Sequence, residues 1–167
     1  MRTKHSVSAS ITERSAGAIL AVVCLAGVSA CSSVLMNKPV SKNSDGWGLT
    51  LSEAKQGPDE YVGEGGILLA PGEGQSLIWA LVTVRNQSTQ EQTFAYDTCL
   101  LSGPGQAFHP LVVDRHAQAE FNQPADKSES IEPGQERTRI LVFPYAKGRR
   151  PTALSCGDLA LAFPAAR

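Results

Sequence analysis

The sequence contains few of the residues that carry enzyme or metal chemistry. Its 167 residues include three histidines and four cysteines, and aromatic residues make up 6% of the chain. No two cysteines have C-x-x-C spacing and no G-x-S-x-G segment is present, so neither a thioredoxin-type redox motif nor a hydrolase nucleophile elbow is indicated. We therefore predict no catalytic residue, no metal site and no cofactor, and we predict that the protein is not an enzyme.

The chain also lacks an excess of positive charge. Its 15 basic and 16 acidic residues give a formal net charge of −1. Binding to nucleic acid depends on clustered Lys and Arg that neutralise phosphates. The composition therefore argues against a nucleic-acid partner.

Long apolar runs are missing as well, but a short one lies near the N-terminus. Residues 16–30 carry no charge, and this stretch of 15 residues falls short of the roughly 20 that a membrane-spanning helix needs. Arg2, Lys4 and Arg14 precede it. A basic start, an apolar stretch of this length and small residues at its end are typical of a secretory signal peptide. We predict that residues 1–30 form a cleaved signal peptide.

The end of this segment, Val28-Ser29-Ala30-Cys31, resembles the lipobox of bacterial lipoproteins. The resemblance implies cleavage between Ala30 and Cys31 and attachment of acyl chains to Cys31, through which membrane lipid becomes a partner. Two or three acyl chains anchor a protein stably, whereas one holds it only marginally. The alternative is an ordinary secretory signal in which Cys31 follows the cleavage site by chance.

Ser32 follows the cysteine and bears on where an anchored protein would be located. In the lipoprotein sorting pattern of many two-membrane bacteria, Asp at this position favours retention in the inner membrane. Ser32 does not give this retention signal. The resemblance therefore implies that the protein lies in the cell envelope, lipid-anchored in the outer membrane and facing the periplasm.

The rest of the chain is predicted to form a tether and one domain. Residues 31–46 are short of apolar periodicity and rich in Ser, Asn and Lys, which predicts a flexible tether with a reach of about 20 Å. From residue 47 onward the pattern is that of short strands separated by turns. The remaining segment, 47–167, is predicted to be a single domain.

Within this domain the apolar segments predict an antiparallel β fold. An edge strand is predicted at 47–52, a central strand at 76–85, and further strands at 93–101, 107–113, 137–145 and 154–163. The only helical pattern is at 114–121. Pro-Gly pairs at 71–72 and 133–134 favour type II turns that lead into strands.

Part of this segment resembles a family of domains. The motifs that carry the resemblance are V-T-V-R-N-Q at 82–87, I-E-P-G-Q-E at 131–136 and L-V-F-P at 141–144. They are similar to the telokin-like, immunoglobulin-like domains of unknown function found in bacterial secreted and lipid-anchored proteins. The resemblance implies an all-β, immunoglobulin-like antiparallel β-sandwich and carries no catalytic residues.

Two cysteines, Cys99 and Cys156, follow Cys31. An extracytoplasmic compartment permits disulfides, and a bridge would close a loop of about 58 residues, worth roughly 4 kcal/mol in the chain-entropy model. Two buried free thiols, or a redox or metal pair, are the alternatives.

Other chemistry-bearing residues are sparse. His109, Asp114 and His116 lie close in sequence, but their spacing matches no standard metal site, so we interpret them as surface loop residues. Lys147, Arg149 and Arg150 form a basic cluster, which is interpreted as a solvated hairpin loop or, alternatively, as a contact for anionic head groups.

The sequence leaves three hypotheses for the function. The first is a lipid-anchored envelope module that binds an unidentified ligand or an envelope protein. The second is a structural or assembly accessory lipoprotein of the outer envelope. The third, an envelope enzyme, has no motif in its support.

Overall fold

The computed structural model describes residues 33–116 and 122–164, and over these ranges the chain is built from antiparallel strands. The strands are β1 (Ser33–Met36), β2 (Val40–Ser44), β3 (Trp47–Gln56), β4 (Tyr61–Val62), β5 (Leu68–Leu69), β6 (Gln75–Asn86), β7 (Gln92–Ala95), β8 (Cys99–Gly103), β9 (Gln106–Phe108), β10 (Val112–Asp114), β11 (Ser128–Ile131), β12 (Glu136–Ala146), β13 (Ala153–Cys156) and β14 (Leu159–Ala162). Two short 3-10 turns interrupt them, Glu64–Gly66 and Tyr96–Thr98.

The strands form two main sheets. The larger has the order β1-β3-β6-β12-β10, with β2 pairing beside β1 along the same edge of β3. The smaller has the order β14-β13-β8-β9, and the pairs β7/β11 and β4/β5 are separate. The predicted all-β antiparallel β-sandwich is thereby confirmed.

The core lies between the two main sheets. Strands β6 and β12 pair over their whole length, and alternate residues of both strands, such as Val82 and Phe143, point into it. The smaller sheet contributes Leu101 and Leu154. Because the side-chain period of a strand is two residues, the other set of side chains on β6 and β12 lies on the outer face of the larger sheet.

Part of this outer face is covered by a segment that we call the flap, residues 57–74. Its strands β4 and β5 cover a second apolar cluster made of Tyr61, Leu77, Trp79, Val112 and Val142. The rings of Tyr61 and Trp79 stack with their centroids 5.8 Å apart. This explains why apolar residues of β6 occupy both faces of the strand.

The predicted tether at 31–46 is wrong over its described part. Residues 33–44 form β1 and β2, which pair with β3, and Met36 is buried in the main core. The domain therefore begins by Ser33 and not at residue 47. The sequence does not indicate these strands because an edge strand buries few side chains, and all five residues of β2 are exposed or half-buried. Because β1 and β2 pair along one edge of β3 and β6 pairs along the other, β3 is an interior strand. The prediction of an edge strand at 47–52 is therefore wrong.

Two predicted strands are each divided in the structure. The segment at 93–101 breaks at the 3-10 turn Tyr96–Thr98, so its two halves belong to different sheets. The segment at 107–113 breaks at Pro110, which has no backbone N–H to donate to a ladder. The strands at 76–85 and 137–145 are confirmed as β6 and β12, and the last strand is a hairpin, β13–β14.

The helix predicted at 114–121 is not formed where the chain is described. Asp114 ends β10, and Arg115 and His116 have no regular structure. Residues 117–121 lie outside the described residues, as do the predicted signal peptide at 1–30, Ala30 and Cys31.

The disulfide predicted between Cys99 and Cys156 is confirmed. The two residues pair across β8 and β13 with their Cα atoms 4.1 Å apart, and both are buried in the main core. The bridge therefore joins two neighbouring strands of the smaller sheet.

Candidate functional site

The two ends of the sandwich differ, and we call them the proximal end and the distal end. The proximal end is where β1 begins, beside the turns at 71–74 and 147–150. The backbone N–H of Lys147 donates to the carbonyl of Gly74 at 2.9 Å there. The distal end carries the turns at 45–46, 87–91, 132–135 and 157–158. The backbone N–H of Gln87 donates to the carbonyl of Gly46 at 2.6 Å there.

A pocket of about 230 Å³ opens at the distal end. Three elements build it: the turn between β2 and β3, strand β7, and the hairpin β13–β14. Trp47 and Phe94 lie in its wall with their rings edge to face at a centroid distance of 5.1 Å. Cys156 also lines the pocket, so the disulfide fixes the hairpin that forms one side of it.

The rim of this distal pocket is acidic and rich in hydroxyl groups. Asp45 and Asp158 lie on it and are exposed, and Ser44, Thr93 and Thr98 add hydroxyls. No Lys, Arg or His is among its lining residues in the described part of the chain. An aromatic wall with carboxylates and hydroxyls at the rim can hold a small ligand or a side chain of a partner by stacking and hydrogen bonds.

The distal end is held together by Asn86, a buried residue at the end of β6. Its Nδ2 donates to the carbonyls of Gln90 at 2.7 Å and Ile131 at 2.8 Å. Its Oδ1 accepts from the backbone N–H and the hydroxyl of Ser88. One amide side chain thus ties the loop after β6 to strand β11.

A second cleft, of about 270 Å³, lies beside β11 and β12 and is lined by Arg115, Ala125, Asp126, Glu129 and Arg139. Glu129 accepts hydrogen bonds from both the Tyr96 hydroxyl and the Arg139 guanidinium, each at 2.5 Å. Burial raises the pKa of the Tyr96 phenol well above its usual range, and the hydrogen bond to Glu129 raises it further. Because both carboxylate oxygens are occupied in this way, we interpret the group as a structural network.

The structure does not bring His109, Asp114 and His116 together as ligands. His109 is exposed, and its Nδ1 lies 2.8 Å from the carbonyl of Asp97. Asp114 is buried, where it accepts from the Tyr61 hydroxyl at 2.8 Å and from the backbone N–H of His116. The pKa of the Tyr61 phenol is raised by burial and by this bond. Across the described ranges no group of three or more His, Cys, Asp or Glu is placed to hold a metal ion.

The basic cluster is divided between two roles. Lys147 and Arg149 are exposed in the turn after β12. Arg150 turns inward, and its Nη2 donates to the carbonyl of Leu35 at 2.6 Å and to that of Pro164 at 3.1 Å. It therefore joins the first strand to the segment that follows the last strand, which the sequence did not indicate.

The flap presents an exposed apolar tip. Val62, Ile67 and Leu68 are 42%, 46% and 58% exposed, and Val62 pairs with Leu68 across β4 and β5. Three neighbouring apolar side chains on one short hairpin form a small surface that a protein partner could cover.

The disulfide can be predicted from the sequence, whereas the pocket cannot. The sequence predicts Trp47 at the margin of the domain, and nothing in it indicates that Asp158 lies on the same pocket. The pocket combines segments separated by about 50 residues or more, so no local motif signals it. The pairs Asp45-Gly46 and Gly157-Asp158 indicate two hairpin turns, because each pair is typical of a two-residue hairpin loop, but they do not indicate that the two turns lie side by side.

Comparisons with known proteins define the fold and nothing finer. No family model and no curated protein matches the chain. A conserved hypothetical protein from Bacillus anthracis is similar in structure, with a TM-score of 0.50, 12% identity, and coverage of 80% of this chain and 97% of that one. A functionally unknown protein from Listeria monocytogenes EGD-e has a TM-score of 0.49 at 12% identity over 71% of this chain and 70% of that one. An uncharacterised β-sandwich protein from Clostridium difficile 630 has a TM-score of 0.46 at 11% identity over 69% and 80%.

The described ranges contain no helix that is both long and apolar enough to cross a membrane.

Proposed function

We propose that this chain is a lipid-anchored binding module of the cell envelope and that the distal pocket is its binding site. The proposal joins two features: the lipobox that ends at Cys31, and the pocket at the end of the sandwich opposite the start of β1. The observation that carries the binding role is the pocket itself, in which Trp47 and Phe94 stand beside exposed carboxylates.

A non-catalytic role is part of the proposal. Among the hydrogen bonds of the described residues, none joins a pocket hydroxyl to a pocket carboxylate, so no nucleophile is paired with a base there. Thr98 instead donates to the carbonyl of Ala95 at 2.7 Å. A hydroxyl nucleophile is activated by a neighbouring base, whereas a binding site needs no such pair.

The anchor is tested by Cys31→Ser. This variant should accumulate as an unprocessed precursor or leave the membrane fraction, because the thiol that receives the lipid is gone. The measurement is membrane fractionation with mass spectrometry of the N-terminal peptide. Processed Cys31→Ser protein that stays in the membrane fraction would show that the anchor lies elsewhere.

The pocket is tested by photo-crosslinking in intact cells. A photoreactive amino acid at Thr93, on the rim of the pocket, should capture a ligand or partner. The matched control is Thr89, which is exposed at the same end but does not line the pocket. Equal capture at both positions would refute the pocket as the binding site.

A second candidate, an assembly accessory of the outer envelope, is favoured by the apolar tip of the flap. A photoreactive residue at Leu68 tests it, because this side chain is 58% exposed. A stoichiometric protein captured at Leu68 but not at Thr93 would favour assembly, whereas a small molecule captured only at Thr93 would favour ligand binding.

A further inference from the structure

We infer that the proximal end of the sandwich lies directly on the membrane surface, with Lys147 and Arg149 against anionic phospholipid head groups and the distal pocket turned away from the bilayer. The inference rests on the proposed lipid anchor at Cys31 and goes beyond it, because an anchor alone does not orient a domain.

The chain between the anchor and the fold is short. β1 begins at Ser33, so two residue steps separate it from Cys31, and they span about 7 Å at most. A flexible tether over 31–46 would have left the domain free to rotate. Because β1 and β2 are instead paired in the sheet, the anchor holds the proximal end close to the bilayer.

Strand β1 is held in place beside the proximal turn at 147–150. Arg150 bonds the carbonyl of Leu35 and that of Pro164, so the first strand is fixed to the turn that carries Lys147 and Arg149. Pairing of Ser33 with Gln56 also fixes this strand to β3. The cations and the point of attachment therefore move as one body.

The two ends of the sandwich differ in charge. The four turns at the distal end contain Asp45, Glu91, Glu132 and Asp158 and no Lys or Arg. The exposed side chains of the proximal turn, by contrast, include Lys147 and Arg149. The negative surface potential of anionic lipid decays over about 8 Å at physiological salt, so an end held within that distance is oriented by it.

Acidic residues of the flap weaken the attraction of the proximal end to anionic lipid and so limit its expected size. Asp59, Glu60 and Glu73 lie in the flap at the proximal end, and Asp59 accepts from the backbone N–H of Leu77 at 3.2 Å. Against them stand Lys147, Arg149 and Arg150, while Lys55 is offset by Glu53, which lines the same cleft. The proximal end is therefore close to neutral, whereas the four distal turns carry acidic residues and no Lys or Arg. Because Lys147 and Arg149 face the lipid in this orientation, we expect at most about a fivefold preference for contact with anionic over neutral bilayers, or about 1 kcal/mol.

The experiment uses the full lipidated protein in vesicles of phosphatidylcholine, alone or mixed with phosphatidylglycerol. A fluorophore is attached at Thr152→Cys near the proximal turn or at Thr89→Cys at the distal end, both exposed positions. Quenching by head-group nitroxide lipid should be strong at Thr152→Cys, and stronger in vesicles that contain phosphatidylglycerol than in those of phosphatidylcholine alone. At Thr89→Cys it should be weak in both kinds of vesicle.

A charge-reversal pair provides the control. Lys147→Glu with Arg149→Glu should abolish or invert the effect of phosphatidylglycerol, since the proximal end becomes net acidic. Lys42→Glu with Arg85→Glu makes the same change in charge at exposed positions nearer the distal end and should leave the quenching pattern unchanged.

The outcomes separate this inference from the proposed function. A protein that lacks lipid at Cys31 would overturn both. A lipidated protein with equal quenching at Thr152→Cys and Thr89→Cys, or with equal responses to the two charge reversals, would overturn only the orientation.

Discussion

Reduction of the Cys99–Cys156 disulfide should lower the free energy of unfolding by about 4 kcal/mol. The bond joins residues 57 apart in sequence that pair on neighbouring strands. In the chain-entropy model, a cross-link of this span stabilises the protein by restricting the unfolded chain. The folded state keeps its contacts, because Leu101 still pairs with Leu154 beside the reduced thiols.

The assay is urea denaturation of the wild-type protein with and without reductant. The midpoint should fall on reduction, and the slope of the free energy against urea should rise, because the unfolded chain exposes more surface once the loop is open. The double variant Cys99→Ala with Cys156→Ala is the control, and reductant should leave its midpoint unchanged. A loss below about 1 kcal/mol in the wild type would refute the reasoning from loop closure.

Two further predictions concern buried polar groups. Asn86→Ala should lower the free energy of unfolding by about 2–3 kcal/mol, measured by urea denaturation, because it leaves the carbonyls it bonds unsatisfied; an unchanged midpoint would contradict this. Alkaline pH should destabilise the protein, because the pKa values of Tyr61, Tyr96 and Tyr145 are raised in the folded state, chiefly by burial. Their contribution is complete below the unfolded-state pKa of about 10 and is lost progressively as pH rises above it. A urea midpoint that stays constant from neutral pH to well above pH 10 would contradict the assignment.

The long strands could be predicted from the sequence because they bury both faces. Strand β6 has apolar residues at both parities, and this pattern reflects two separate layers, the main core and the cluster under the flap. The disulfide could be predicted because only two cysteines follow Cys31. Both predictions depend on local composition, which folding does not alter.

Edge strands and breaks could not be predicted in the same way. Strand β2 reads as a polar linker because it lies at a sheet edge and faces water, and its pairing with β3 depends on backbone hydrogen bonds that leave little trace in the sequence. The 3-10 turn Tyr96–Thr98 is also not evident from the sequence, because Phe94, Tyr96, Thr98 and Leu100 alternate as they would in one continuous strand. The turn is held by bonds that appear only in the fold, such as the one from the Thr98 hydroxyl to the carbonyl of Ala95.

The strand-rich class of the domain, the cysteines available for a disulfide and the resemblance of the residues ending at Cys31 to a lipobox can all be read from the chain alone. Where the domain begins, which turns share an end, and that Trp47 and Asp158 line one pocket depend on the folded arrangement. The physical reason is that the hydrophobic period of a strand, the charge of a segment and the residues of a turn are local properties of a chain. A pocket or an oriented end, in contrast, is created when strands distant in sequence pair in a particular register.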